Sequence, residues 1–386
     1  MMLIVLLKHF LIGNGKQMHK ITGIITLSSA ENYGAVLQCH SLCCFLEKKY
    51  CHAEIINFVP HFIIGRYPLY CIKTDSPLIF IKSIIRSILQ FPAKLTKKSK
   101  FIFFRKQISC YSKKKYIGKL SVDSYDKYIV GSDQVFNLQL TQFEDEFFLP
   151  RIKDNSKKIA YAASLGVSKI GSKEKSILKK GLLGFDFISI RESTGCNLLK
   201  SLLPDKNICQ LCDPVFLNDI NFWKSLASSR LYKKEYILIY TFSSQDLAYN
   251  LARKISKDVD IVVINDSCRK KNADLHYARG IGPKDFLSLI LYSSLVITDS
   301  FHGTAFSIIF NKNFYTIPFK GTESRFLDML SKFELTDRVV NDINTIFFNN
   351  INYSSVNKTI TACRRDAELF FNKIYGKNVD EYTCDS

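Results

Sequence analysis

Apolar residues fall in short runs along most of this chain. The runs are separated by polar turns and by stretches where apolar positions recur every three or four residues. The runs suit buried strands and the recurrences suit amphipathic helices. ITGIITL (Ile21 to Leu27) is predicted as a strand, SAENYGA as a turn, and VLQCHSLCCFLEKKY as a helix in which Val36, Leu37, Cys43, Cys44 and Leu46 recur at helical spacing. AEIINFV follows as a second strand, and strand, helix, strand in that order predicts a parallel sheet. DKYIVGSDQVF, KKIAYAASLG and FDFISIREST each add a strand with polar residues just past its end. The second half repeats this logic, with EYILIYTF, DIVVIND, LVITDSF and FYTIPF as strands and AYNLARKIS, PKDFLSLILYSS and HGTAFSIIFN as helices. Pro283 falls in a first helical turn, where a missing amide proton costs nothing.

The pattern predicts an α/β protein of two doubly wound, Rossmann-like domains facing a cleft, as a length of 386 residues also suggests. The expected bounds are 18–217 and 222–350, with DPVFLNDINFWKSLASS holding the connection and a C-terminal helix over 357–376 packing back across either half. MMLIVLLKHFLIGNGKQ is too short to span a bilayer and no small-residue cleavage site follows it. Residues 1–17 are therefore read as an upstream start ahead of Met18, outside the fold. With no membrane-spanning run elsewhere, a soluble or membrane-peripheral chain is expected.

Charge changes the picture in one region. The chain has 54 Lys+Arg against 35 Asp+Glu, a formal net charge of +19. Between Asp75 and Asp123 no acidic residue occurs, while Lys82, Arg86, Lys94, Lys97, Lys98, Lys100, Arg105, Lys106, Lys113, Lys114, Lys115 and Lys119 all do. Interleaved apolar residues, as in FIFFRKQI, predict amphipathic helix. Such a face is solvated, or it meets an anionic membrane surface or an acidic glycan. Nucleic acid is not expected, since no zinc-finger spacing or RNP-like motif accompanies the charge. The twelve cysteines lie mostly inside apolar runs, which suits a reducing compartment. Cys209 and Cys212 form a lone CxxC, while His40 and Cys44, and Cys39 and Cys43, share helix faces at i,i+4; buried structural thiols are the expectation for all these cysteines.

Candidate chemistry lies in the loops after the strands, because open parallel sheets bind ligands outside their carboxyl ends. Those loops carry Asn32, Gly34, Asp133, Gln134, Arg191, Glu192, Ser300, His302, Gly303 and Thr304. A helix starting near His302 would aim free amides and a partial positive charge at the turn, and Gly303 would admit a ligand close to the backbone. An anion, phosphate first, is the implied guest. His302 alone would read as a capping or core-satisfying imidazole; its neighbours favour a functional group. Arg191 either pairs with Glu192 or Asp186 at the surface or contacts ligand, and His276, without such neighbours, is read as structural.

GIITLSSAENYGAVLQ, YDKYIVGSDQVFN, KIAYAASLG, FISIRESTG, DPVF, GIGPKDFLSLI and TDSFHGTAFSIIFNKNF, in that order, resemble the polysaccharide pyruvyl transferase family. The resemblance runs from Ile21 to the RFLDML segment near Leu330. It implies a GT-B-like fold, and transfer of a pyruvyl group from phosphoenolpyruvate to sugar hydroxyls of a cell-surface or capsular polysaccharide or its lipid-linked precursor. No metal and no further cofactor is implied. His302 matches the family's motif histidine and Arg191 an arginine used on the donor, so these two are the catalytic candidates. Ser300, Gly303, Thr304, Lys312 and Arg325 fall to the donor side in the second half, and Asn32, Gly34, Asp133 and Gln134 to the acceptor side in the first. Family members carry arginine where this chain has Ser300, so Arg325 or Lys312 supplies that charge or the donor differs. The chain is expected in the cytoplasm, with peripheral contact at the inner face of an anionic membrane. A GT-B nucleotide-sugar glycosyltransferase and a non-catalytic glycan-assembly protein of the same fold are the competing readings.

Overall fold

The computed structural model describes residues 21–108, 110–121, 125–266, 272, 274–318, 323–342, 346 and 349–377; the segment 1–17 lies outside them. Seven parallel strands form the first sheet: β1 (Ile21–Ile25), β2 (His52–Val59), β3 (Tyr111–Ile117), β4 (Lys127–Val130), β5 (Lys158–Ala163), β6 (Phe187–Ile190) and β7 (Ile208–Gln210). Their order is β3-β2-β1-β4-β5-β6-β7. Five parallel strands form the second: β8 (Tyr236–Tyr240), β9 (Asp260–Ile264), β10 (Leu275–Ala278), β11 (Leu295–Thr298) and β12 (Asn313–Thr316), in the order β10-β9-β8-β11-β12. The strands are rich in Ile and Val and mostly buried on both faces, as parallel sheets covered by helices require.

The helices are α1 (Tyr33–Lys49), α2 (Pro77–Gln107), α3 (Ser172–Leu182), α4 (Ser193–Leu202), α5 (Ile220–Leu226), α6 (Gln245–Ile255), α7 (Pro283–Leu291), α8 (Phe301–Ile309), α9 (Glu323–Lys332) and α10 (Tyr353–Tyr375). No described helix is long and apolar enough to cross a membrane. The segment expected to link the halves contains a 3-10 turn at Pro214–Phe216 and then α5. The basic stretch is not helical throughout: after α2 the chain forms β3, an edge strand that exposes Lys113, Lys114 and Lys115. Lysines on an edge keep it from pairing with another sheet.

Both sheets pack on shared helices. Every residue of α1 from Tyr33 to Cys43 is buried, the condition of a helix with protein on all sides. Tyr33 stacks on Phe286 of α7 at 4.6 Å between ring centroids and on Phe101 of α2 at 5.4 Å. Helix α10 spans both cores. Its Val356, Ile360 and Cys363 join the cluster that covers the second sheet, and its Ala367, Phe370, Phe371 and Ile374 pack with Ile24, Ile129 and Tyr161 of the first. The ten cysteines among the described residues are all free thiols; Cys39, Cys43 and Cys212 are buried, and Cys44 Sγ lies 3.6 Å from His40 Nδ1. His276 is exposed on β10, 3.9 Å from Asp260.

The strand orders locate the cleft. Each sheet reverses direction once, between β1 and β4 in the first and between β8 and β11 in the second. Loops diverge at such a switch point and leave a crevice at the carboxyl ends.

Candidate active site

A cleft of about 200 Å³ sits where the two switch points face each other. The first sheet contributes Asn32 after β1, Asp133 and Gln134 after β4, and Arg191 after β6. Phe242 follows β8, Asp299, Ser300 and His302 follow β11, and Arg325 comes from α9. Ile63, Arg66 and Tyr67, from the excursion after β2, close one side.

The turn after β11 is built by local hydrogen bonds. The Asp299 carboxylate accepts from the amides of Phe242 at 2.8 Å, Ser243 at 3.0 Å and Ser244 at 3.3 Å, which ties the loops after β8 and β11 together. Ser300 caps α8, its hydroxyl accepting from the Gly303 amide at 3.3 Å. At Gly303 a Cβ would stand 2.5 Å from Thr298 Oγ1, so this glycine seats the helix on its strand. The expected close approach of ligand to its backbone is thereby corrected, since the amide faces the cap. Thr304 is also turned inward, its hydroxyl donating to the Ser300 carbonyl and meeting Thr316 at 2.8 Å. Lys312 lies before β12, at the opposite end of the sheet, where it donates to the Ser293 carbonyl at 2.9 Å. It cannot supply charge to the cleft.

His302 follows the first residue of α8 and is buried against α1. A Cβ at Gly34 would sit 1.9 Å from His302 Nδ1, so Gly34 makes room for the imidazole. That is a different task from the acceptor contact expected of it. Asn32 caps α1 through the Ala35 amide at 3.2 Å, while Asp133, at φ +73°, accepts from the Gln134 amide at 2.9 Å. Gln134 accepts from Asn137 at 2.9 Å.

Asp213 is the hub, and it was not among the residues singled out. Its Oδ2 takes Arg191 Nη1 at 2.8 Å and Ser132 Oγ at 3.2 Å and lies 3.6 Å from His302 Nε2, while Oδ1 accepts from the Val215 amide at 3.1 Å. Burial alone would push this carboxyl up, but His302 and Arg191 outweigh it and hold it well below the usual carboxylate range. Arg191 is therefore not a surface pair of Glu192 or Asp186. Its guanidinium is buried, bonded to Asp213, and stacked 4.0 Å over the Phe301 ring. The expected pairing with Glu192 is present but buried: Glu192 Oε2 lies 4.0 Å from Arg191 Nε, while its Oε1 accepts from the amides of Leu165 at 2.6 Å and Gly166 at 3.0 Å.

Arg325 supplies the second cation. It is 9% exposed, and burial, then the nearby Arg191 charge, lowers its pKa. Both arginines also line a smaller apolar cavity behind the cleft with Phe301, Met329 and Phe333. Among the described residues, Arg191 Nε, Arg325 Nε and His302 Nε2 are buried and make no hydrogen bond, although Glu192 Oε2 lies 4.0 Å from the first and Asp213 Oδ2 3.6 Å from the last. Two guanidiniums and an imidazole gathered at the carboxyl edges of two sheets suit a multiply charged anion.

A sequence profile of the family described as polysaccharide pyruvyl transferase matches residues 32–320. The chain belongs to the polysaccharide pyruvyl transferase family. His302, Arg191 and Asp213 of this family member all fall inside the matched region, and Arg325 lies just beyond it. No curated protein matches the chain. Among solved structures, it is similar to a UDP-GlcNAc 2-epimerase from Neisseria meningitidis bound to UDP-GlcNAc, with 12% identity over 92% of this chain and 94% of the other, TM-score 0.44. A UDP co-structure of MnaA from S. aureus has 12% identity over 93% and 90%, TM-score 0.47. The glycosyltransferase SnogD from Streptomyces nogalater has 8% identity over 94% and 100%, TM-score 0.40. Likeness at these scores carries no argument, and the two facing doubly wound sheets, a GT-B-like arrangement, rest on the strand orders. As a member of this family the chain is a transferase with a glycan-modifying role.

Among the described residues, the group of three acidic side chains close enough to share a metal ion is Glu144, Asp145 and Glu146. None of them lines the cleft, and Glu146 is engaged by Arg151 and the Leu120 amide.

Proposed function

We propose that this protein transfers a pyruvyl group from phosphoenolpyruvate to two hydroxyls of a saccharide, forming a ketal and releasing phosphate. The observation that carries the reading is that buried nitrogens of Arg191, Arg325 and His302, without a hydrogen bond among the described residues, meet in one cleft. Phosphoenolpyruvate carries its phosphate and its carboxylate on one carbon, and two guanidiniums fit that pair of charges. In the reaction the methylene carbon gains a proton, the two hydroxyl oxygens bond to the adjacent carbon, and its bond to the phosphate oxygen breaks. The two hydroxyl protons are balanced by those taken up by the new methyl group and by the departing phosphate. His302 serves as the acid, with Asp213, 3.6 Å from its Nε2, holding its orientation. Asp133, across the cleft, is the base for the attacking hydroxyl, and Asn32 and Gln134 border the acceptor. The acceptor is a cell-surface polysaccharide unit or its lipid-linked precursor, modified in the cytoplasm or at the inner face of a membrane. The free thiols support a reducing compartment.

A thermal-shift titration tests this with phosphoenolpyruvate, a UDP-sugar and plain phosphate on the wild type and on Arg191→Ala, Arg325→Ala and His302→Ala. Ligand at a hundredfold excess over its dissociation constant adds about 2.7 kcal/mol to stability. A rise with phosphoenolpyruvate that both arginine variants lose supports the reading, and His302→Ala then abolishes phosphate release with acceptor. Stabilisation by the UDP-sugar alone would make the protein a glycosyltransferase. Silence with every donor would leave a glycan-assembly role.

A further inference from the structure

Helix α2 is amphipathic the wrong way round for a protein surface. In its first five turns the side that meets the protein is polar: Ser83 accepts from the Lys73 amide at 3.0 Å, and Ser87 accepts from the Cys71 amide at 3.1 Å. The apolar side faces out, with Leu78 62% and Ile88 66% exposed, and Ile81, Ile85, Leu89, Leu95, Ile102 and Phe103 exposed on the same broad stripe. At 100° per residue these positions span about 140° of the helix circumference. A shallow apolar hollow of about 310 Å³ between Tyr70, Ile72, Ile84, Ile88 and Phe91 opens on this face. Lys82 and Arg86 flank the stripe on one edge and Lys98 on the other, and α2 contains no acidic residue.

We infer that α2 docks this protein on the surface of an anionic lipid bilayer, its apolar stripe among the acyl chains and its flanking cations on the headgroups. A wide apolar face bordered by lysine and arginine is the composition of a helix that lies in the membrane interface. Charge decides against a second copy as the occupant, because two such helices would bring cations together with no acid on either side. The placement bears on the acceptor, and this part rests on the proposed pyruvyl transfer. The excursion that leads into α2 supplies Ile63, Arg66 and Tyr67 to the cleft wall, so a docked helix presents the cleft to a saccharide carried on a lipid.

The test is co-sedimentation of the full chain with phosphatidylcholine vesicles, with and without phosphatidylglycerol, in about 0.1 M and about 1 M salt, where the screening length falls from about 10 Å to about 3 Å. Binding is expected to the anionic vesicles only, weaker by about tenfold or more at high salt and in both Lys82→Glu/Arg86→Glu and Ile85→Glu/Ile88→Glu. All four side chains are exposed or flank the stripe, so thermal unfolding should be unchanged; if the isoleucine variant does not fold, the charge variant decides. His302→Ala should bind vesicles as the wild type does, which separates failure of docking from failure of the proposed chemistry. No binding to phosphatidylglycerol vesicles, or equal binding by the variants, overturns the inference. So does a dimer in light scattering that the isoleucine variant dissolves, since it assigns the stripe to a second copy.

Discussion

At the scale of single residues, the site depends on a contact between a glycine and a histidine from different halves of the chain. Gly34→Ala would place a methyl group inside the His302 ring, so the imidazole must leave its seat beside Asp213. The variant should lose phosphate release from phosphoenolpyruvate and about 1–3 kcal/mol of stability by overpacking. Adding His302→Ala removes the clash, so a double-mutant cycle in denaturant melts should recover most of the stability but not the activity. Additive losses would mean that the ring does not rest on Gly34. Asp213 makes a separate prediction through pH. Its carboxyl ionises more readily in the folded chain than unfolded, so its contribution is full above about pH 4 and fades as pH falls toward the depressed folded value. Asp213→Asn should cost about 3–5 kcal/mol at neutral pH, because Arg191 is left buried without its anion, and should flatten the acid limb of stability against pH. A variant with the wild-type acid limb would contradict this. His302 was legible in the sequence because a strand end, a helix start and a cluster of small polar residues meet there. Asp213 was not, since its neighbours Ser132, Arg191 and His302 are distant in sequence and its own segment reads as a connection.

Among the elements, those with a strong period were legible and those defined by their packing partners were not. The strands β1, β5, β8 and β11 lie inside apolar runs visible in the sequence, with ends shifted by up to three residues. Strand β3 escaped notice because its three exposed lysines extend the charge pattern of α2 and break any alternation between buried Ser112 and Tyr116. The run TITACRRDAELFFNKIYG gave the last helix but not its place, and α10 in fact serves both cores. Phe371 is fully buried there and stacks on Tyr161 at 4.9 Å. Phe371→Ala should cost about 3–5 kcal/mol in urea melts, with the donor response of the remaining folded protein unchanged. A loss below about 1 kcal/mol would mean that α10 does not anchor the first sheet.

For the molecule as a whole, two parallel sheets and a cleft followed from the order of strands and helices, but which strand neighbours which did not, because only long-range pairing sets it. The same holds for the bonds that set one half against the other. Asp328 of α9 accepts from the Ser193 amide at 2.8 Å and from its hydroxyl at 2.6 Å, so a carboxylate from the second half sits on the first turn of α4, a favourable place for negative charge. Asp328 and Arg325 lie three residues apart on one helix and border the same cavity, and Ser193 follows Arg191 and Glu192 in the chain. This clamp therefore fixes how far the two arginines stand from each other. Asp328→Ala should lower stability by about 1–3 kcal/mol and weaken phosphoenolpyruvate binding by about tenfold, because the guanidiniums must then be brought together by the ligand. Asp328→Asn keeps one acceptor and should fall between the two. If thermal-shift titration gives the alanine variant wild-type affinity with reduced stability, the clamp holds the halves together without tuning the site. A parallel loss of both ties the arrangement of the sheets directly to the anion chemistry of the cleft.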